Sequence, residues 1–238
     1  MLLLLYTVTR RYARTKDQAA LDDVMGAVRR IRDQTKHAKK IKAWKSISFT
    51  YLIHKDLSGT VRQTAVMKAI EFPVHFWEHQ ITAEDEADDA DSLAALNYTV
   101  EDSGSPAADI VYLPAENGRK SKRACLFFLP QLEAGDARQF QVSYEWPRLF
   151  KRLKTSEEDF DYETYSVEDV ACYRLEVYLQ QGAGGVLQCE ITGDQHKEQT
   201  LIPGTHNENG WKGTGYIYEV KNIPAGDIHL VLRTRLTG

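Results

Sequence analysis

Cysteine is scarce in this chain of 238 residues, and several motifs of common enzyme classes are missing. The three cysteines are an odd number without a C-x-x-C pair, so a disulfide framework is not expected. The sequence has no P-loop, no G-x-G-x-x-G after a strand and no G-x-S-x-G elbow. These absences argue against the usual phosphate-binding and serine-hydrolase classes, and we expect no cofactor.

The cysteines themselves lie at Cys125, Cys172 and Cys189, each inside an apolar run typical of a strand. A thiol in such surroundings stays protonated and unreactive. We therefore expect buried, reduced thiols and a cytoplasmic location.

Long apolar runs are also missing. The apolar residues 1–8 cannot cross a bilayer alone, because a spanning helix needs about 20 residues. They also lack the basic region that precedes the core of a signal peptide. Since Arg10 and Arg11 follow, the order matches the cytoplasmic end of a transmembrane helix, and a tether at the inner membrane face is one alternative. We favour a helix end packed on the core or on a partner.

Charge divides the chain into two parts. Residues 1–45 hold 12 Lys and Arg against 4 Asp, a balance of +8, whereas the remainder holds 18 basic and 30 acidic residues, a balance of −12. Apolar residues at spacings of three and four predict one amphipathic helix over residues 9–42. The cations of its later turns include Arg29, Arg30, Lys36, Lys39 and Lys40. We interpret 1–45 as a basic helix that tethers or oligomerises the protein, or contacts an anionic surface.

From residue 46 to 238 the pattern changes to strands. Alternation over 46–55 and 60–70, with a turn at 56–59, predicts a β-hairpin. Eight further short strands are separated by turn signals such as Asn209-Gly210. No helical period intervenes, so we predict a mainly β fold, an antiparallel β-sandwich or a barrel-like sandwich.

The sharpest motif is His75-Phe76-Trp77-Glu78-His79, which fits the H-x-x-E-H pattern of one zinc-peptidase class. That chemistry requires a helix, since only an i, i+4 helical spacing brings both imidazoles to one metal. Pro73 and the alternation of Val74 and Phe76 favour a strand, on which the two histidines stand about 13 Å apart. We therefore treat zinc binding by His75, Glu78 and His79 as a minor alternative.

Three segments are the candidate recognition loops: 82–92, 148–165 and 203–212. Loops on a rigid β scaffold commonly carry binding residues. The last one offers His206 and Asn207 beside the aromatic anchor Trp211, and we name these three as candidate binding residues.

The stretch 132–147 combines an acidic-glycine turn, an alternating strand and a terminal Tyr144-x-Trp146-Pro147. Together with the hairpin at 47–70, it resembles a class of bacterial β-sandwich modules appended to regulators and to signalling or antiphage-defence proteins. The resemblance covers about 45–235 and carries over no catalytic residue. It implies a sensory or interaction role.

These observations predict a binding or sensing module rather than an enzyme. A protein partner is expected first, with a homo-oligomer through the N-terminal helix or an anionic membrane surface as further possibilities, and nucleic acid is not expected. Two alternatives stay open: a membrane-linked effector gated by a nucleotide or protein signal, and a zinc-dependent hydrolase.

Overall fold

The computed structural model describes residues 42–82, 93–103, 109–117, 121–192 and 198–238, together with residue 26. The described part contains thirteen strands. They are β1 Lys42–Ile53, β2 Gly59–Ala69, β3 Val74–Thr82, β4 Thr99–Asp102, β5 Asp109–Asn117, β6 Ser121–Leu132, β7 Ala137–Trp146, β8 Glu158–Ser166, β9 Val170–Gln180, β10 Val186–Ile191, β11 Gln199–Glu208, β12 Trp211–Ile223 and β13 Gly226–Thr237. Short 3-10 helices span Ala94–Leu96 and Lys151–Lys154. The predicted mainly β fold is confirmed.

The predicted N-terminal helix, with Arg29, Arg30, Lys36, Lys39 and Lys40, lies outside the described residues. β1 begins at Lys42, four residues before the predicted start of the β region at residue 46. The earlier start follows from packing, because Ala43 and Trp44 are almost completely buried. Within the described ranges, no helix is long and apolar enough to span a membrane.

The strands form three sheets. Seven strands make the large sheet, in the order β11-β12-β9-β1-β2-β7-β4. The orders of the two small sheets are β3-β6-β5 and β10-β13-β8. β1 and β2 pair antiparallel, which confirms the predicted hairpin. One pairing departs from the antiparallel expectation, because β1 and β9 run parallel.

Both small sheets pack on the same face of the large sheet, which we call the inner face. Every second residue of β2 is buried, as expected for a strand with one face on a core. The ring of Trp77 on β3 lies 5.5 Å from that of Phe140 on β7. The ring of Phe160 on β8 lies 4.7 Å from that of Tyr51 on β1. A single hydrophobic cluster thus joins all three sheets.

Two predicted loops are corrected by the structure. Residues 203–212 form a hairpin rather than a loop, since β11 pairs along its whole length with residues 211–220 of β12. Asn209 and Gly210 both have positive φ, at 50° and 82°, as a two-residue hairpin turn of the primed type requires. In 148–165, the 3-10 helix is followed by β8. Of the predicted loop 82–92, residues 83–92 lie outside the described residues.

Candidate functional site

A cleft of about 550 Å³ lies between the two small sheets, above the inner face of the large sheet. One wall is formed by residues 77–82 of β3 and the other by residues 158–164 of β8. The floor comes from β1, β2, β7 and β9 of the large sheet. The cleft therefore exists because the second layer is divided into two sheets.

Each wall of the cleft is the edge of a sheet. β3 pairs only with β6, and β8 pairs only with β13, among the described strands. Alternate backbone N–H and C=O groups of an edge strand point away from its partner, and they form a ready template for another strand. Here two such edges face one cleft.

The floor is aromatic. Phe49 on β1 lies 5.3 Å from Tyr162 on β8, measured between ring centroids. Tyr162 in turn stacks on Tyr173 of β9 at 5.2 Å. The other aromatic lining residues are Trp44, Tyr51, Trp77, Tyr144, Phe150 and Phe160. Aromatic rings bury much apolar area at little entropic cost, and they are common anchors in binding sites.

Trp44 closes one end of the cleft. Its indole Nε1 donates a hydrogen bond of 3.1 Å to Thr164 Oγ1 of β8. Its ring meets that of Trp77 on β3 edge-on at 5.2 Å. A side chain of β1 thus bridges the two walls at this end.

A buried polar group lies in the floor. Gln63 on β2 points to the inner face and is only 2% exposed. Its Oε1 has no hydrogen-bond partner among the described residues. Leaving a buried acceptor unsatisfied costs about 1–3 kcal/mol. The cleft therefore contains an acceptor for which a ligand could supply the donor.

The charge of the lining is negative. It contains five carboxylates and neither lysine nor arginine: Glu78, Glu158, Asp159, Asp161 and Glu163. Burial, and then the negative charge of Glu158, raise the pKa of Tyr51 in the floor. Asp159, Asp161 and Glu163 lie on the outside of β8, where they contact Arg233 and His229, so they face away from the floor of the cleft.

Lys42 lies beside the closed end of the cleft. Its Nζ stands 4.9 Å from the ring centre of Trp44 and 5.4 Å from that of Trp77. Burial lowers the pKa of Lys42 to about 7, and the negative charge of Glu78 partly opposes this shift. Desolvation thus makes the charged ammonium unfavourable here.

The H-x-x-E-H motif lies on β3, which confirms the strand expected from the sequence. His79 is buried, its Nδ1 lies 2.8 Å from Tyr98 Oη, and burial lowers its pKa to about 3. His75 is half-buried, and desolvation lowers its pKa as well. The helical spacing that would bring His75 and His79 to one zinc ion is therefore not available.

Three other side chains lie close enough together to contact one cation. Ligand atoms of Asp161, Glu163 and His229 lie within 4.8 Å of one another on the outside of β8 and β13. His229 Nε2 is already 3.1 Å from Asp161 Oδ1, and both carboxylates are exposed. These three side chains form a polar contact on the surface of the sheet.

The predicted binding residues His206 and Trp211 do meet, in what we call the hairpin cluster: His54, Tyr178, His206, Glu208 and Trp211. The ring of His206 lies 5.5 Å from that of Trp211 and 5.2 Å from that of Tyr178. Trp211 Nε1 donates a 3.2 Å hydrogen bond to His54 Nδ1. Asn207 is exposed, and alternation along β11 turns it away from both neighbours.

The hairpin cluster is remote from the cleft. Glu208 forms an ion pair with Arg62 of β2. Because Gln63 points to the inner face, its neighbour Arg62 points to the outer face of the large sheet. The sequence therefore located an aromatic and polar cluster. Its candidate recognition segment 148–165 contains the β8 wall of the cleft, but as a loop rather than a strand, and Glu78 and His79 of the β3 wall were considered only as metal ligands. The sequence signal that could have identified β8 as a strand is the alternation of Phe160, Tyr162 and Thr164.

No known protein family matches this sequence, and no curated protein matches it. Among solved structures, a candidate protease from Parabacteroides distasonis is similar, at 13% identity and a TM-score of 0.48. The M1 zinc metallopeptidase from Deinococcus radiodurans is similar at 8% identity and a TM-score of 0.43. These alignments cover 81% and 83% of this chain but only 40% and 42% of those chains. This chain thus spans less than half of the length of either.

Proposed function

We propose that this protein is a non-enzymatic binding module that takes an extended polypeptide segment into the cleft between β3 and β8. In this proposal, the two small sheets form the second layer of an antiparallel sandwich, and the ligand adds one strand to that layer. The observation that carries the proposal is that two strand edges without partners among the described residues face one aromatic cleft.

Strand addition would satisfy both edges at once. A residue in a strand directs its N–H and C=O to one side, and the next residue directs them to the other side. A ligand strand between β3 and β8 would therefore pair with both walls. The two small sheets of three strands each would become one continuous sheet of seven, equal to the large sheet. Such main-chain pairing supplies affinity, while side-chain pockets supply specificity.

The lining defines the chemistry of the segment. Inward side chains would meet the aromatic floor, which favours apolar groups. The partner is therefore a protein or peptide with an apolar segment that is free to extend.

The role of a sensory or interaction module, as in bacterial regulators and defence proteins, is part of this proposal and is supported by the sequence resemblance. Binding, rather than turnover, is the activity to measure.

The test uses the full chain and a synthetic peptide of about seven residues, matched to the walls 77–82 and 158–164. The peptide has three valines separated by threonines, with a lysine at each end. We expect saturable binding in calorimetry. Two controls carry the same side chains, with N-methyl groups on either the valine or the threonine amides, so that each blocks pairing with one wall. We expect both controls to bind at least tenfold more weakly. Equal binding of all three peptides would refute strand addition.

A further inference from the structure

We propose that the strand bound in the cleft carries a serine or threonine at the position above Gln63, and that its hydroxyl group donates a hydrogen bond to Gln63 Oε1. This inference rests on the proposed strand addition and specifies one residue of the ligand. The other inward positions of the ligand meet the aromatic floor and stay apolar.

The gap between the two walls lies above β2. On one side, Trp77 and His79 of β3 contact rings of β7, with the rings of Trp77 and Phe140 5.5 Å apart. On the other side, Phe160 of β8 contacts Tyr51 of β1 at 4.7 Å. β2 is the strand between β1 and β7. Since neighbouring strands lie about 4.8 Å apart, walls above β1 and β7 leave room for one strand, directly above β2.

Gln63 is the polar side chain under this gap. In the large sheet it lies opposite Phe49 of β1 and Val142 of β7, and its inner-face neighbours along β2 are Val61 and Ala65. All four neighbours are apolar. The Oε1 of Gln63 is buried and has no hydrogen-bond partner among the described residues. A ligand group that donates to this acceptor is therefore favoured over an apolar group of the same shape.

The spacing between the layers favours a short donor. Packed sheets lie about 10 Å apart, and the inward side chains of both layers share that space. Gln63 is itself long and holds Oε1 at the end of its side chain. Serine and threonine carry the hydroxyl group directly on Cβ, whereas lysine and arginine place their donors at the end of a long chain. A hydroxyl group close to the ligand backbone therefore fits the space that Gln63 leaves.

The surroundings of Gln63 also favour an uncharged donor. None of the described lining residues that the large sheet contributes is charged. Burial raises the pKa of Tyr51 and that of Tyr173 in the floor, because desolvation disfavours the charged form of a side chain. The same desolvation disfavours an ammonium or guanidinium group of the ligand at this position.

The glutamates of the two walls do not offset that cost. Glu78 points away from Gln63, because the residues before and after it on β3 point to the floor. Glu158 is on the inner side of β8, but Tyr162 is the residue of β8 that contacts Phe49, beside Gln63. Glu158 is four residues away from Tyr162, or about 13 Å along the strand. Both glutamates also make interactions within the protein.

The experiment varies only the central valine of the seven-residue peptide. It becomes threonine, O-methylthreonine, norleucine or lysine, and the dissociation constant for the full chain is measured by calorimetry. Threonine has the shape of valine, so this pair isolates the hydroxyl group, and O-methylthreonine keeps the oxygen but lacks the donor.

We expect the threonine peptide to bind about fivefold more tightly than the valine and O-methylthreonine peptides, as one additional hydrogen bond typically gives. We expect the lysine peptide to bind at least about fivefold more weakly than the norleucine peptide, because its charge must be desolvated.

Two protein variants assign the effect to Gln63. Gln63→Leu removes the acceptor, so the threonine peptide should then bind no more tightly than the valine peptide. The matched control is Gln139→Leu, the same substitution at an exposed position on the outer face of β7. It should preserve the preference for threonine. Far-ultraviolet circular dichroism verifies that each variant is folded.

The outcomes separate this inference from the proposed function. If the valine and threonine peptides bind equally well and the N-methyl controls still bind weakly, the hydroxyl subsite is refuted and strand addition stands. If O-methylthreonine equals threonine, or if the lysine peptide binds most tightly, the site does not select an uncharged donor and our inference is wrong. If no peptide binds, both proposals fail.

Discussion

The hairpin cluster and the cleft are both rich in aromatic and polar side chains, but they differ in whether their polar groups have hydrogen-bond or ion-pair partners. In the hairpin cluster, Trp211 donates to His54, and Glu208 is paired with Arg62. In the cleft, Gln63 Oε1 and two strand edges have no partner among the described residues. Histidine and tryptophan near one turn therefore indicated a cluster, whereas it is the cleft, with its groups that lack partners, to which our proposal assigns a ligand.

The largest expected effect is a loss of stability on substitution of Gly215, where the backbone of the β11–β12 hairpin contacts that of β9. A Cβ built on Gly215 of β12 would stand 1.8 Å from the carbonyl oxygen of Val177 on β9. Because neither backbone can move without breaking the β9–β12 pairing, we expect Gly215→Ala to lower the free energy of unfolding by about 4 kcal/mol or more. Urea denaturation measures this. A loss below about 1 kcal/mol would show that the hairpin is not a fixed part of the sheet.

Acid should destabilise the protein because unfolding allows His79, in the β3 wall of the cleft, to bind a proton. Burial depresses the pKa of His79 to about 3, from an ordinary value of 6.5. The unfolded chain therefore binds a proton that the folded chain does not, and stability falls as the pH drops from about 6.5 towards 3. Between pH 7 and pH 4 we expect this group to remove about 2–3 kcal/mol.

The measurement is urea denaturation at several pH values, on the protein and on His79→Gln. The glutamine variant cannot gain this proton, so its stability should depend less steeply on pH in that range. Identical slopes for the two proteins would contradict the assignment.

Removal of one tryptophan from each region tests the comparison directly. Trp77→Ala in the cleft should weaken binding of the valine–threonine peptide by about 2 kcal/mol or roughly thirtyfold, as truncation of an aromatic anchor typically does. Trp211→Ala in the hairpin cluster should change the dissociation constant by less than about twofold. Calorimetry well below the thermal midpoint of each variant avoids a contribution from unfolding. If Trp211→Ala weakened binding more than Trp77→Ala, the binding site would lie at the hairpin cluster rather than in the cleft.

The smallest expected effect is on the free energy of unfolding, and it distinguishes Gln63, whose Oε1 has no partner in the described structure, from Arg62, which is in an ion pair. Gln63→Leu removes an acceptor that has no partner in the described structure, so the free energy of unfolding should stay the same or rise by up to about 1 kcal/mol. Arg62→Leu, one residue away on the outer face, breaks an ion pair with Glu208 and should lower it by up to about 1 kcal/mol. A clear loss of stability in Gln63→Leu would show that Gln63 is already satisfied.

The sequence predicted most of the strands, because their alternation is regular. It missed β11, since Pro203-Gly204 looked like a turn. β11 is the edge strand of the large sheet, and an edge strand tolerates a proline, whose missing N–H can face solvent. It also missed β8, where the exposed carboxylates Asp159, Asp161 and Glu163 suggested a solvated loop.

The cleft itself could not be predicted from local patterns. It depends on sheet order, and in particular on β3 and β8 being edge strands of two separate sheets on one face. The alternation of Phe160 and Tyr162 is visible in the sequence, but the sequence does not show which surface these two side chains face. By contrast, His206 and Trp211 are close in sequence, and a hairpin turn between them is enough to bring them together.

Hydrogen exchange measured by mass spectrometry, with and without the valine–threonine peptide, tests the central claim most directly. Our account predicts slower exchange in both β3 and β8 when the peptide is bound, and unchanged exchange in the hairpin of β11 and β12. Protection restricted to the hairpin, or to neither wall of the cleft, would contradict it.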